Sequence, residues 1–254
     1  MKDNKDSFDH KKNVEELLSS ACNFQLYSEQ ARNKAREVYR KKEPEKHNSF
    51  RISLDGLIVR TSKQMLNKLE NTTDKISYQI SLSASFIRTH FIINDMILNG
   101  DLIEALTLTR KQFEALTRLH EIDQKPLLKL LKKTPNVINL FGEGGKKLYP
   151  TLSEIAHFAT PKVGELLTIK TFDDDRSGPS LLPAYNIDAL ACYDRHAYVS
   201  LYFVFWFMDF LKKVYGDAYK SEIDEKTFYI MIKIAEESGI IQLPPTHAVE
   251  TSFA

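Results

Sequence analysis

Glycine and proline are scarce, with nine of each in 254 residues, eighteen where the usual shares would give about thirty. Collagen-like and proline-rich low-complexity architectures are therefore excluded. Cysteine is scarcer still. Cys22 and Cys192 are the only two, with no C-x-x-C between them, which excludes a disulfide scaffold and a cysteine zinc site and points to a reducing compartment. An excess of one charge is missing as well: 35 Lys and Arg stand against 34 Asp and Glu, a net +1 that rules out a basic arm or an acidic tail. No long apolar run exists. The best candidate, Ala197 to Leu211, is 15 residues, short of the ~20 that a membrane-crossing helix needs. It contains Asp209 and follows Asp194, Arg195 and His196, so it reads as a central core helix rather than a membrane segment. The stretch Met1 to Lys12 is polar and carries no secretory apolar region, and the expectation is a cytoplasmic protein with no membrane partner.

What is present is a full complement of core residues, 43% hydrophobic and 11% aromatic, with Leu outnumbering Val by 29 to 9. Leu loses little rotamer freedom in a helix, so this bias predicts an all-α chain, a bundle of about five main helices plus short connecting ones. The breakers agree, because none falls before Pro44, between Gly56 and Gly100, between Gly100 and Pro126, or between Pro183 and Gly216. Three regions follow: residues 1–50 as an N-terminal amphipathic helix with a basic stretch, 51–241 as the bundle, and 242–254 as a tail.

Within this frame, Asn13 to Lys42 is expected as one helix. Its apolar stripe of Val14, Leu17, Leu18, Ala21, Phe24 and Tyr27 fades into a solvated basic half. Residues 51–60 fit a tight hairpin at Asp55-Gly56 or a helix, with helix the slightly better reading. Asp74 to Asn99 is an amphipathic helix on Ile76, Ile80, Ala84, Ile87, Phe91 and Leu98, closed by a Gly100 cap. Asp101 is placed to cap the next helix, with Leu102, Leu106, Phe113, Leu116 and Leu119 down to Ile122, and the short connection makes the pair an antiparallel hairpin. Pro150 is suited to open a helix over Thr151 to Ala159. Asn186 to Tyr215 is the aromatic core helix, Lys220 to Glu237 the last, and Thr171 to Pro183 an exposed loop.

Two constellations can carry chemistry. Arg110, Glu114 and Arg118 recur every fourth residue on one helix, which fits either a solvated salt-bridge ladder or a polar cluster inside the bundle. Tyr149, Ser153 and His157 do the same on another, where His157 is either a hydrogen-bonded core histidine or a working base. A serine hydrolase is poorly supported, since Ser153 lies within a helix and lacks the strained G-x-S-x-G turn. Asp173, Asp174 and Asp175 lack metal-site spacing and read as a solvated loop, while Gly142-Glu-Gly-Gly145 lacks the Lys-Ser/Thr ending of a P-loop and reads as a flexible connection. No metal and no cofactor are expected. Arg32 to Arg51 holds eight Lys and Arg against three Glu, and Lys129, Lys132, Lys133, Lys146 and Lys147 form a second group; RNA contact is weakly supported by these, because the total charge is balanced and charge runs usually cover solvated faces.

An Arg-x-x-x-Glu helix after a long amphipathic helix, then Tyr-x-x-x-Ser-x-x-x-His some thirty residues on, resembles a group of uncharacterised prokaryotic all-helical proteins similar to the HEPN superfamily. That superfamily includes RNases, toxins and nucleotide-binding modules of antiviral defence systems. The resemblance spans about Ile76 to Leu211. It implies that Arg110 and Glu114 meet Ser153 and His157 across two bundle helices, and that the chain is a binding or interaction module in a defence or toxin–antitoxin setting. HEPN RNases carry an Arg, four to six residues and then a His, commonly across a dimer interface. The match here is Arg40 and His47, interrupted by Pro44 and better read as a charged inter-helix loop. Two alternatives stand beside the binding module. One is a metal-independent ribonuclease using the Arg/Glu and Ser/His residues, the other a scaffold presenting its N-terminal helix to a protein partner. A homodimer is compatible with each.

Overall fold

The computed structural model describes residues 3–69, 72–137, 142–167, 169–171 and 177–241. Seven α-helices carry most of these: α1 (Asp3–Lys42), α2 (Glu45–Ser62), α3 (Asp74–Asn99), α4 (Leu102–Gln124), α5 (Gly142–Ala156), α6 (Ala189–Tyr215) and α7 (Glu222–Glu237). Short 3-10 turns join several of them. Among the described residues the strands are β1 (Ile169–Thr171) and β2 (Ser177–Pro179), a small antiparallel ribbon with Ile169 opposite Pro179. The ribbon occupies part of the region expected as loop, while Asp173, Asp174 and Asp175, like the 242–254 tail, lie outside the described residues.

The architecture is the all-α bundle that leucine bias and breaker spacing predict. Residues 51–60 are helical, within α2. In α3, Thr73 Oγ1 accepts the Ile76 N–H at 3.2 Å, and Gly100 closes the C-terminus at φ 85, giving its own N–H to Ile97. The turn is so short that α4 runs back alongside α3. α6 lies against α2, α3 and α4 and is the core helix. Phe86 of α3 stacks on Phe203 of α6 with centroids 3.9 Å apart, and Trp206 Nε1 donates to Asp123 Oδ2 at 2.7 Å. No helix among the described residues is long and apolar enough to cross a membrane.

Four expectations are corrected. First, α1 packs by its other half: Leu17 is 70% and Leu18 62% exposed, whereas Ala35 and Tyr39 are buried in the common core. The basic half is drawn in because the bundle meets it with carboxylates. Arg32 donates to Asp101 (2.9 Å) and Arg36 to Asp95 (2.6 Å), while Glu43, just past the end of α1, accepts from Arg51 of α2 with both of its buried oxygens (2.8 Å each). Second, Asp101 is taken by Arg32 and makes no side-chain cap on α4. Third, the buried face of α3 is rotated from the Ile76–Ile80–Ile87 line and contains Gln79, Ser83, Phe86, His90, Ile93 and Asn94. Fourth, α5 begins at Gly142, so the Gly142–Gly145 run belongs to a helix and Pro150 lies inside it. Pro150 has no N–H to return to the preceding turn.

Candidate functional site

α4 and α5 pack against one another, and their adjoining faces bring four of the five predicted residues into one hydrogen-bonded cluster. Arg110 and Glu114 stand one turn apart on α4, with Arg110 Nε 3.2 Å from Glu114 Oε1. From α5, the Tyr149 hydroxyl donates to Glu114 Oε1 at 2.8 Å and accepts from Arg110 Nη2 at 3.3 Å. The Tyr149 ring rests against the buried Phe113, 5.5 Å between centroids, and the guanidinium carbon lies 5.4 Å from the same ring's centroid. Burial raises the Tyr149 phenol above its ordinary value, with Arg110 opposing and Glu114 reinforcing the shift. The hydroxyl thus keeps its proton and donates it to Glu114.

His157 completes the cluster from the end of α5. Arg110 Nη1 contacts His157 Nε2 at 2.8 Å. A guanidinium has only N–H to offer, so Nε2 is the acceptor and the proton of a neutral imidazole resides on Nδ1. The position of His157 is set by the backbone. Ala159 N–H returns to Glu154 O (2.9 Å), Phe158 N–H to Ile155 O (3.1 Å), and Phe158 takes φ 50. This is a Schellman closure with phenylalanine where glycine is usual. It makes His157 the C-cap, the first residue past α5, within reach of Arg110 on α4. Thr160 Oγ1 donates to Glu154 Oε1 and pins the turn.

The cluster is open. His157 is exposed, while the side chains of Arg110 and Glu114 are 22% and 28% accessible. Both readings left open for these helices are therefore half right: the groups do meet across the helices, but at the bundle surface and not in an enclosed pocket. Ser153 shares the face of α5 and is half-buried. Its carbonyl accepts the His157 N–H at 3.1 Å, but among the described residues its hydroxyl takes no part in the network. Arg118 turns elsewhere, pairing with Glu121 at 3.0 Å.

A second constellation escapes sequence reading because it spans three helices. His90 of α3 lies between Asp55 of α2, Nε2 to Oδ1 2.8 Å, and Ser200 of α6, Nδ1 to Oγ 3.0 Å. Asn94 Nδ2 also donates to Asp55 Oδ1, at 2.8 Å. His196 of α6 stands 4.7 Å from His90 between ring centroids, and burial and His90 hold its pKa well below the ordinary imidazole value. The order is that of a Ser–His–Asp triad, but Ser200 and His90 are wholly buried. No substrate reaches that hydroxyl, so the row is a polar brace within the core. The signal available in sequence was His90 and Asn94 one turn apart, within a helix whose apolar stripe seemed complete without them.

Arg40 and His47 fall on α1 and α2, on either side of Pro44, and no contact joins them among the described residues. His47 Nε2 lies 3.2 Å from Asp194 Oδ1. Arg40 lines a shallow groove of about 480 Å³ together with Arg36, Arg51, Asp55, Phe91 and Asn94. Arg32, Arg36, Lys46 and Arg51 pair with carboxylates of the same chain, so half of the eight Lys and Arg counted as a phosphate-holding patch are already engaged. No group of three or more metal-ligating side chains occurs among the described residues. Comparisons with protein-family models, curated proteins and solved structures find nothing that matches this chain.

Proposed function

We propose that the chain is a HEPN-like helical binding module whose α4–α5 cluster of Arg110, Glu114, Tyr149 and His157 takes an anionic, phosphate-bearing ligand. The observation that carries the reading is the 2.8 Å contact between Arg110 and His157 at an open surface. A guanidinium and an imidazole side by side are both donors to an anion, and Nη1 and Nη2 of Arg110 each keep a second N–H for it. Glu114 and Tyr149 preorganise the guanidinium, so little rotamer entropy remains to be lost on binding. The setting that goes with this reading is cytoplasmic, where Cys22 and Cys192 stay free. The defence or toxin–antitoxin role rests on the HEPN resemblance alone.

A second reading is a metal-independent ribonuclease, favoured by the unprotonated Nε2 of His157. When a phosphodiester draws Arg110 onto its oxygens, that lone pair is freed to take the proton of a ribose 2′-hydroxyl, while Arg110 offsets the charge growing on phosphorus. The Tyr149 hydroxyl, 3.3 Å from Arg110 Nη2, is the neighbouring O–H that would give a proton to the leaving oxygen.

One experiment addresses both. Labelled single-stranded RNA and mononucleotides are titrated into the protein in EDTA by fluorescence anisotropy at two salt concentrations, and the RNA is then run on a gel. The binding module predicts saturable binding that weakens with salt and falls at least about tenfold in Arg110→Ala, since a charge-assisted pair contributes about 1.5–3 kcal/mol. Melting curves of Arg110→Ala and His157→Ala should match the parent. Cleavage lost in both variants supports the ribonuclease, and intact RNA with retained binding leaves the module alone. Absence of any binding, or equal binding by the variants, overturns the proposal.

A further inference from the structure

The bundle covers only part of α1. From Ser28 onward the helix is seated: Ser28, Ala35 and Tyr39 are buried, and Arg32 reaches Asp101 at the α3–α4 turn. Traced toward the N-terminus, the same face continues without a break as Phe24, Ala21, Leu17 and Val14, alternating steps of three and four residues, with Leu18 and Tyr27 on its flanks. Here nothing among the described residues covers it. Leu17 is 70%, Tyr27 55% and Phe24 47% exposed. One apolar stripe is thus half inside the bundle and half in water, over a further length of about 20 Å at 1.5 Å per residue. A projecting helix gains most of its stability from packing an apolar face rather than from propensity.

We propose that the segment from Lys12 to Glu29 pairs antiparallel with the same segment of a second copy of the chain. The sequence of the segment is complementary to its own reverse. Centred between Ser20 and Ala21, the pairing sets Leu17 opposite Phe24 and Val14 opposite Tyr27, while the small Ser20 and Ala21 let the backbones approach at the crossing. Lys12 falls opposite Glu29, and Glu15 and Glu16 fall opposite Leu26 and Gln25, so no like charges are opposed. A parallel pair would set Glu15, Glu16, Glu29 and Lys12 each against its own copy. A membrane surface is the poorer occupant, because the polar side of the segment carries three Glu against one Lys and anionic headgroups would repel it.

The test is the mass of the full chain in solution, by light scattering at micromolar concentration, beside Leu17→Lys/Phe24→Lys. The parent should run at about twice 29.3 kDa. The double variant should run as a monomer whose bundle still unfolds in one cooperative transition, because both positions are outside the core. Direction is read by oxidative cross-linking in a Cys22→Ser background. Leu17→Cys mixed with Phe24→Cys should form the disulfide faster than either protein alone. A monomeric parent, a double variant that stays dimeric, or faster cross-linking of each variant with itself overturns the proposal.

Discussion

Asp194→Asn should stabilise the protein at pH 8 and leave it unchanged at pH 4. Asp194 lies near the start of α6, its side chain 29% exposed, and desolvation pushes its carboxyl from the ordinary 3.8 up to about 7, with Arg195 pulling the other way. Such a group favours the protonated fold by about 4 kcal/mol. By linkage, a raised acid pKa gives stability that is whole below 3.8 and is lost as pH rises toward 7. His47 Nε2, 3.2 Å away, can donate to the ionised form, which returns about 1.5–3 kcal/mol. The net gain expected from the neutral isostere at pH 8 is therefore about 2 kcal/mol. Burial lowers the His47 pKa, so that residue contributes stability above its ordinary 6.5 that is lost on acidification. That acid limb is present in both proteins and lies below the interval in which Asp194 ionises, so the difference at pH 8 reads Asp194. Urea unfolding of parent and variant at intervals from pH 4 to pH 8 measures the effect. A variant less stable than the parent at pH 8, or a difference flat with pH, would refute the burial argument.

Two further substitutions probe the backbone that positions the bundle and the cluster. Gly100→Ala should cost about 3 kcal/mol in urea unfolding, from an αL penalty of about 1–2 kcal/mol plus the overlap of a new Cβ with the Ala184 carbonyl; an unchanged midpoint would show that the α3–α4 turn does not need glycine. Phe158→Gly should raise stability by about 1 kcal/mol, since Phe158 holds φ 50 with its ring 54% exposed and little packing to lose; a lower melting temperature would mean that the ring secures the end of α5.

Helix identity was legible in the sequence wherever breakers and caps act locally. The bounds of α3 were readable because its ends are fixed locally: Gly100 closes the C-terminus in the left-handed conformation, as the sequence suggested, and Thr73 caps the N-terminus with its hydroxyl. Which face a helix buries was less legible. The isoleucine line of α3 is only half-buried at the edge of a deeper face holding Gln79, Ser83, His90 and Asn94, because each of these side chains makes a hydrogen bond to another helix or to its own backbone. In α1 the stripe richest in apolar residues is the part left in water, and the arginine-rich part is seated by Asp101, Asp95 and the core around Tyr39. Periodicity reports that a face wants covering. It does not report which neighbour covers it, or whether that neighbour belongs to the same chain.

The two polar clusters differ in what the surrounding helices do with the same chemistry. Asp55, His90 and Ser200 have the order of a catalytic triad, yet α3 and α6 bury His90 and Ser200 completely and only Asp55 reaches the surface, so the hydroxyl and the imidazole are spent on internal hydrogen bonds and out of a ligand's reach. Arg110, Tyr149 and His157 are less complete as a set, because Ser153 stays outside the network, but the end of α5 leaves them facing solvent with unspent N–H groups. A buried polar row stabilises and specifies the packing of helices, whereas an exposed row held rigid by its neighbours is prepared to exchange water for a ligand. Hence substitutions in the inner row should register first in unfolding, and those in the outer row first in binding. A His90→Ala protein that folds as stably as the parent would contradict this division as directly as a His157→Ala protein that does not fold.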